Sequence, residues 1–174
     1  MPFITAIEPD AAHGELALLY EHIANARGGV ADIHKVQSLN VPAMAAHLDL
    51  YKAVMFQPSP LPRAWREALA VAVSKANACE YCIAHHQAAF DQLGDDEVPQ
   101  ALLDWAVRLT RAPESASKAD VDGLRALGLD DRAILDAVMA VGYFNYVNRL
   151  VLATGLTAEP GFEHTCGPDF RGES

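Results

Sequence analysis

Apolar residues recur at helical spacing along nearly the whole chain, and no stretch alternates apolar with polar for long enough to make a strand. Leucine and alanine dominate, and β-branched clusters are few. This pattern predicts an all-α fold, and glycine and proline mark the breaks between about seven helices. The first is expected from near Asp10 to Arg27, with Leu16, Leu19, Tyr20 and Ile23 on one stripe and Gly28-Gly29 as its stop. A turn follows at His34–Leu39. The second helix opens around Asn40 and Pro42 and runs to about Phe56, burying Met44, Leu48, Tyr51 and Met55. Pro58, Pro60 and Pro62 make a hard break, and Pro62 opens a third helix to about Asn77. The fourth runs from Cys79 to about Leu93, the fifth over Gln100–Thr110, the sixth over Ala119–Leu127. The seventh is long, opening at Asp130-Asp131 and stopping at Gly155.

At 174 residues, the chain has the length of one domain that can bury a core without disulfide staples. Residues 1–156 are expected to form that domain, and 157–174 an irregular tail. With 51% hydrophobic residues, disorder throughout is excluded. The net charge of −10 and the singly scattered Lys and Arg argue against a nucleic-acid partner, which needs clustered cations. The longest apolar runs are broken by Arg66, Glu67, Lys75, Arg132 and Asp136, so no membrane span is expected. The first ten residues lack a basic region and an apolar run of signal type. These features together suggest a cytoplasmic location.

Three cysteines do not make a disulfide scaffold, but two of them form the sequence's most informative motif. Cys79-Glu80-Tyr81-Cys82 lies where the third helix ends and the fourth begins. At the start of a helix the two thiols are i, i+3 and share a face. His85 and His86 follow at i+3 and i+4 from Cys82, so both imidazoles can approach it. A helix N-terminus and a nearby imidazolium both stabilise a thiolate, which is the reactive form. A thiolate that attacks a peroxide becomes a sulfenic acid, and a second thiol then condenses with it to a disulfide. An external dithiol must reset that disulfide. Twelve residues before Cys79, Glu67 shares a helical face with Val71, Ser74 and Ala78, within reach of the motif as a proton acceptor.

The residues alone leave other chemistries open. A c-type haem would need His directly after Cys82, where Ile83 stands. Structural zinc would need a fourth ligand beside Cys79, Cys82 and His86, from His85, Glu67, His164 or Cys166. Such a site would make a redox-sensing or zinc-holding module. Cofactor-free proton transfer by His86 and Glu67 is the third option.

The run from Glu67 through Ser74, Asn77, Cys79, Tyr81, Cys82, His85 and His86 resembles the alkylhydroperoxidase D-like family, within the carboxymuconolactone decarboxylase superfamily. Asp120–Leu129, Ile134–Val138 and Tyr143–Arg149 resemble its peroxidase-related subgroup. The resemblance spans about Val36–Leu156, with its motif core at 62–93. It implies a helical bundle with the CxxC motif at the start of a central helix, assembled as a homo-oligomer. It implies a peroxidase in which Cys82 attacks, Cys79 resolves, and Glu67 with His86 relays protons. His85 and Tyr81 are supporting candidates. Tyr81 stands where the best-known member type has a histidine. No bound cofactor or metal is implied. The implied partners are a peroxide substrate and a dithiol reductant, lipoyl-linked or thioredoxin-like. Lactone decarboxylation, which also occurs in the superfamily, does not need the two cysteines.

Overall fold

The computed structural model describes residues 2–94, 97–158 and 161, and these are helical with no strand. The helices are α1 (Gly14–Arg27), α2 (Asp32–Lys35), α3 (Val41–Met55), α4 (Arg63–Ala76), α5 (Glu80–Asp91), α6 (Gln100–Arg111), α7 (Lys118–Ala126) and α8 (Asp131–Thr154). Two short 3-10 turns lie at Pro9–Ala11 and Pro113–Ser115.

Two boundaries differ from the sequence reading. Asp10 lies in a 3-10 turn, and Ala12 and His13 are extended, so α1 starts at Gly14. Tertiary hydrogen bonds hold this entry segment: Tyr20 Oη donates to the Ile7 carbonyl at 2.8 Å, and the Ile7 N–H donates to Ser38 Oγ at 2.8 Å. The expected turn at His34–Leu39 begins inside a one-turn helix, α2, which takes in His34 and Lys35 and raises the number of helices from seven to eight among the described residues. Four residues are too few to carry a readable period. Thr157 and Ala158 have no regular structure, and Cys166 and His164 lie outside the described residues.

Side-chain caps fix the starts of three helices, α3, α7 and α8. Asn40 Oδ1 accepts from the Ala43 N–H, Asp130 Oδ1 accepts from the Ala133 N–H, and Ser117 with Asp120 closes a reciprocal capping box on α7. Two arginines of α4 reach back to the C-terminal end of α3. Arg66 Nη1 donates to the Val54 and Gln57 carbonyls, and Arg63 Nη1 to that of Met55. The carbonyls of Val54 and Met55 are among those a helix leaves without intrahelical partners, at its negative end, and that of Gln57 lies just past the cap.

The 24-residue α8, about 36 Å at 1.5 Å per residue, packs against α3, α4, α5, α6 and α7. Helix α4 is its most buried neighbour, and Ala64, Ala68 and Ala70 let other helices approach it closely. The larger apolar cluster joins α4, α5, α6 and α8. A smaller one joins Leu16, Tyr20 and Ile23 of α1 to Met44 and Leu48 of α3. Tyr51 and Phe56 pack against both clusters. The CxxC turn faces the seam between them. No helix among the described residues is long and apolar enough to cross a membrane.

Candidate active site

The motif is placed by a tight helix-to-helix junction. At the end of α4 the Cys79 N–H donates to the Ser74 carbonyl at 2.9 Å and the Ala78 N–H to that of Lys75 at 3.2 Å. This double closure needs a left-handed residue between the helices, and Ala78 takes that role at φ +54°. Cys79 is then the N-cap of α5 and Cys82 lies in its first turn. Below the turn a polar ladder ties α4 to α8. Asn77 Nδ2 donates to Asn145 Oδ1 and Asn148 Oδ1, at 3.1 and 2.9 Å, and Asn148 Nδ2 donates to Ser74 Oγ at 3.0 Å.

Cys79 and Cys82 are free thiols with sulfurs 3.0 Å apart, one S–H donating to the other sulfur. Both are buried, but Cys82 lines a cavity of about 70 Å³ and Cys79 does not. The pair shares its protons. The hydrogen bond from Cys82 lowers the first ionisation, on the Cys79 side. The Cys79 hydrogen bond and burial push the Cys82 thiol up once that charge exists, against the opposing effect of hydrogen bonds to Asn148 and Ser74. One thiolate is therefore favoured and two are not.

Glu67 is fully buried on α4. Its Oε2 accepts from His86 Nδ1 at 2.7 Å. Its Oε1 accepts from Arg63 Nε at 3.1 Å and also from Arg63 Nη2. Burial alone would raise the Glu67 carboxyl. The charge and hydrogen bond of His86, with those of Arg63, outweigh burial and hold it below the ordinary value. The His86 ring is packed edge-on against Phe144, centroids 4.4 Å apart. His85 instead stacks on Tyr81 at 4.4 Å, and the Tyr81 hydroxyl accepts from the Ile33 N–H at 3.2 Å. Tyr81 thus anchors α5 to α2.

All six candidate residues lie within one neighbourhood, and Tyr81, Cys82, His85 and His86 line the cavity directly. Glu67 reaches it through His86. Sequence reasoning passed over three contributors. Arg63 had a readable signal, lying four residues before Glu67 on the same helix face. His47 of α3 and Tyr143 of α8 also line the cavity, with His47 Nε2 2.7 Å from Tyr143 Oη. Their 96-residue separation left no local pattern to find. Among the described residues, no group of three or more His, Cys, Asp or Glu side chains is arranged to hold a metal ion.

Residues 42–119 match the model of the carboxymuconolactone decarboxylase family. The fold superposes on an uncharacterized peroxidase-related protein from Silicibacter sp. TM1040, with TM-score 0.80 and 29% identity over 93% of this chain and 95% of that one. A peroxidase-related protein with an alkylhydroperoxidase core, from Ralstonia eutropha JMP134, gives TM-score 0.82 at 23% identity over 95% and 96%. The debrominase Bmp8 shares the fold at TM-score 0.70 and 19% identity, over 94% and 96%. Sestrin-2 of Bos taurus is 25% identical over 148 residues, 80% of this chain, and the chain spans about 30% of the length of that relative.

Proposed function

We propose, from the match of residues 42–119 to the carboxymuconolactone decarboxylase family and the fold shared with peroxidase-related proteins, that this chain is a thiol-dependent peroxidase. The carrying observation is that Cys82 lines the cavity with its sulfur 3.0 Å from that of Cys79. That placement supports attack by the cavity-lining sulfur of Cys82 and resolution by that of Cys79 behind it. The Glu67–His86 pair supports the proton step. With Nδ1–H donating to the carboxylate, Nε2 is the ring nitrogen left to take a proton from Cys82, one helical turn earlier, and the Cys79 S–H donates to the Cys82 sulfur that then carries the pair's single negative charge. Cys82 then attacks the terminal peroxide oxygen, the O–O bond breaks, and the alcohol or water leaves. The Cys79 thiol displaces hydroxide from the sulfenic acid, and water departs as the disulfide forms.

A cavity of about 70 Å³ suits hydrogen peroxide or a short alkyl hydroperoxide; an apolar cavity of roughly 150 Å³ holds a benzene ring. The reductant in this reading is a dithiol, lipoyl-linked or thioredoxin-like. A homo-oligomer is also part of it, supported by the exposed Leu135, Val138, Met139 and Tyr146, which share one face of α8.

The test is a thiol titration before and after one equivalent of peroxide, with mass spectrometry. The expected result is loss of two thiols and two mass units, localised to Cys79 and Cys82 and reversed by a dithiol. Unchanged thiols would remove the peroxidase reading. Turnover of a lactone or keto acid by a variant lacking both cysteines would put cofactor-free proton transfer in its place.

A further inference from the structure

A second hydrogen-bonded chain enters the cavity from α2 and α3, and the mechanism above leaves it unused. Its protonation pattern follows from its far end. Gln37 Nε2 donates to the Ile33 carbonyl at 2.7 Å, which can only accept, so this atom is the amide nitrogen. The same nitrogen lies 2.8 Å from His47 Nδ1, and the amide oxygen Oε1 lies farther, at 3.0 Å; a hydrogen on Nδ1 would meet the second hydrogen of the nearer Nε2, so Nδ1 accepts that hydrogen. His47 is buried and kept neutral, its pKa pushed down to about 4 by desolvation. A neutral ring with Nδ1 accepting carries its proton on Nε2. Nε2–H therefore donates to Tyr143 Oη, 2.7 Å away. The tyrosine oxygen is thus an acceptor toward His47, and its own hydrogen is left to turn into the cavity that Tyr143 and Cys82 both line.

The geometry points to Tyr143 as the hydrogen-bond and proton donor to the departing oxygen of the peroxide, oriented by His47 and Gln37. This rests on the peroxidase reading. The leaving alkoxide is far more basic than a phenol, so proton transfer from Tyr143 as the O–O bond breaks is downhill. The balance closes. The Cys82 thiol gives one proton to the His86–Glu67 pair, sulfur is oxidised to the sulfenic acid as the peroxide is reduced, and the alcohol takes its proton from Tyr143. The proton held by His86 then returns to the phenolate through the cavity. Tyr143 holds its proton firmly otherwise, because burial raises its pKa well above the ordinary value. Its ring is seated against Tyr51 at 5.8 Å and Phe144 at 5.0 Å, which fixes where the hydroxyl can point.

The experiment measures the rate of Cys82 oxidation in wild type and Tyr143→Phe with tert-butyl hydroperoxide, hydrogen peroxide and peroxyacetic acid. Alkylation by iodoacetamide is measured alongside. Acetate and iodide leave without needing a proton. The expected result is a loss of about 100-fold with the first two oxidants, the lower end of what a positioned acid contributes, and less than about threefold with peroxyacetic acid and iodoacetamide. Equal rates for the two proteins with the alkyl hydroperoxide overturn the inference and leave the peroxidase reading intact. Equal slowing with all four reagents also overturns it, since that is the signature of a disturbed thiol. A wild type that no peroxide oxidises overturns both. Should Tyr143→Phe not fold, His47→Leu and His47→Gln give the same decision. The glutamine keeps an N–H near the Nε2 position and is expected to retain most of the alkyl hydroperoxide rate that the leucine loses; equal rates in the two overturn the inference.

Discussion

Glu67 and His86 sit on different helices, 19 residues apart in the chain, yet Oε2 of the fully buried carboxylate lies 2.7 Å from Nδ1 of the imidazole. The pair is closed on its other side by Arg63, whose guanidinium also lies over the Phe56 ring, 3.9 Å from its centroid. A buried carboxylate so held fixes the imidazole's tautomer and its direction, leaving the other ring nitrogen for chemistry.

Glu67→Gln keeps the shape and removes the charge. It is expected to slow oxidation of Cys82 by at least about tenfold, the scale of a lost proton-transfer partner, and to destabilise the fold by about 1–3 kcal/mol, because the Arg63 guanidinium loses its buried counter-charge and keeps only a neutral acceptor. Stopped-flow peroxide kinetics and urea denaturation measure the two effects. A rate unchanged from wild type would remove Glu67 from the relay.

The Glu67 carboxyl is depressed in the folded state. Its stabilisation is therefore complete above the unfolded value, near 4.5, and falls away as pH drops below it. His47 acts in a higher window. Its folded value of about 4 lies below the ordinary 6.5, so between these the unfolded chain binds a proton that the fold excludes. Stability then rises with pH across that window, by about 3 kcal/mol in all. His47→Gln is expected to flatten the slope between pH 4 and 6.5 and leave the acid limb near 4.5 in place. Denaturation series across pH check both; an unaltered slope in the variant would deny the burial effect.

The two cysteines are expected to fail differently. Cys82→Ser should consume no peroxide. Cys79→Ser should gain a single oxygen with one equivalent of peroxide, as a sulfenic acid trappable by dimedone, and gain more with excess. Reversal of these outcomes would exchange the attacking and resolving roles.

Ala78 occupies a left-handed conformation that costs an L-residue roughly 1–2 kcal/mol. At the equivalent closures of α7 and α8, Gly128 and Gly155 stand at φ +88° and +69°. Ala78→Gly is expected to stabilise the protein by up to about 1 kcal/mol, the strain relief being partly offset by the freer unfolded chain. A calorimetric melt reads the sign, and a lower melting temperature would mean that the alanine methyl contributes packing that outweighs its strain.

Helix boundaries were legible wherever proline, glycine or a capping side chain supplied a local signal, as at Asn40, Pro62, Asp130 and Gly155. They were not legible at α1, whose start is set by the hydrogen bond from Tyr20 to the Ile7 carbonyl and that from the Ile7 N–H to Ser38. The CxxC motif, His86 and Glu67 could be read because i, i+3 and i, i+4 spacings put neighbours together on a helix. The same spacing placed His85 as near to Cys82 as His86. Packing divides the two, one imidazole going to Glu67 and the other to Tyr81.

By itself, the sequence determined the helical class and the junction that presents two thiols at a helix start. Each of these rests on residues within a few turns of one another. Tertiary structure alone decided that Cys82 faces the cavity while Cys79 lies behind it, and that His47 and Tyr143 meet there across 96 residues. Local periodicity carries no information about such meetings, because they arise only when amphipathic helices bury their faces against one another and desolvate whatever polar groups lie between.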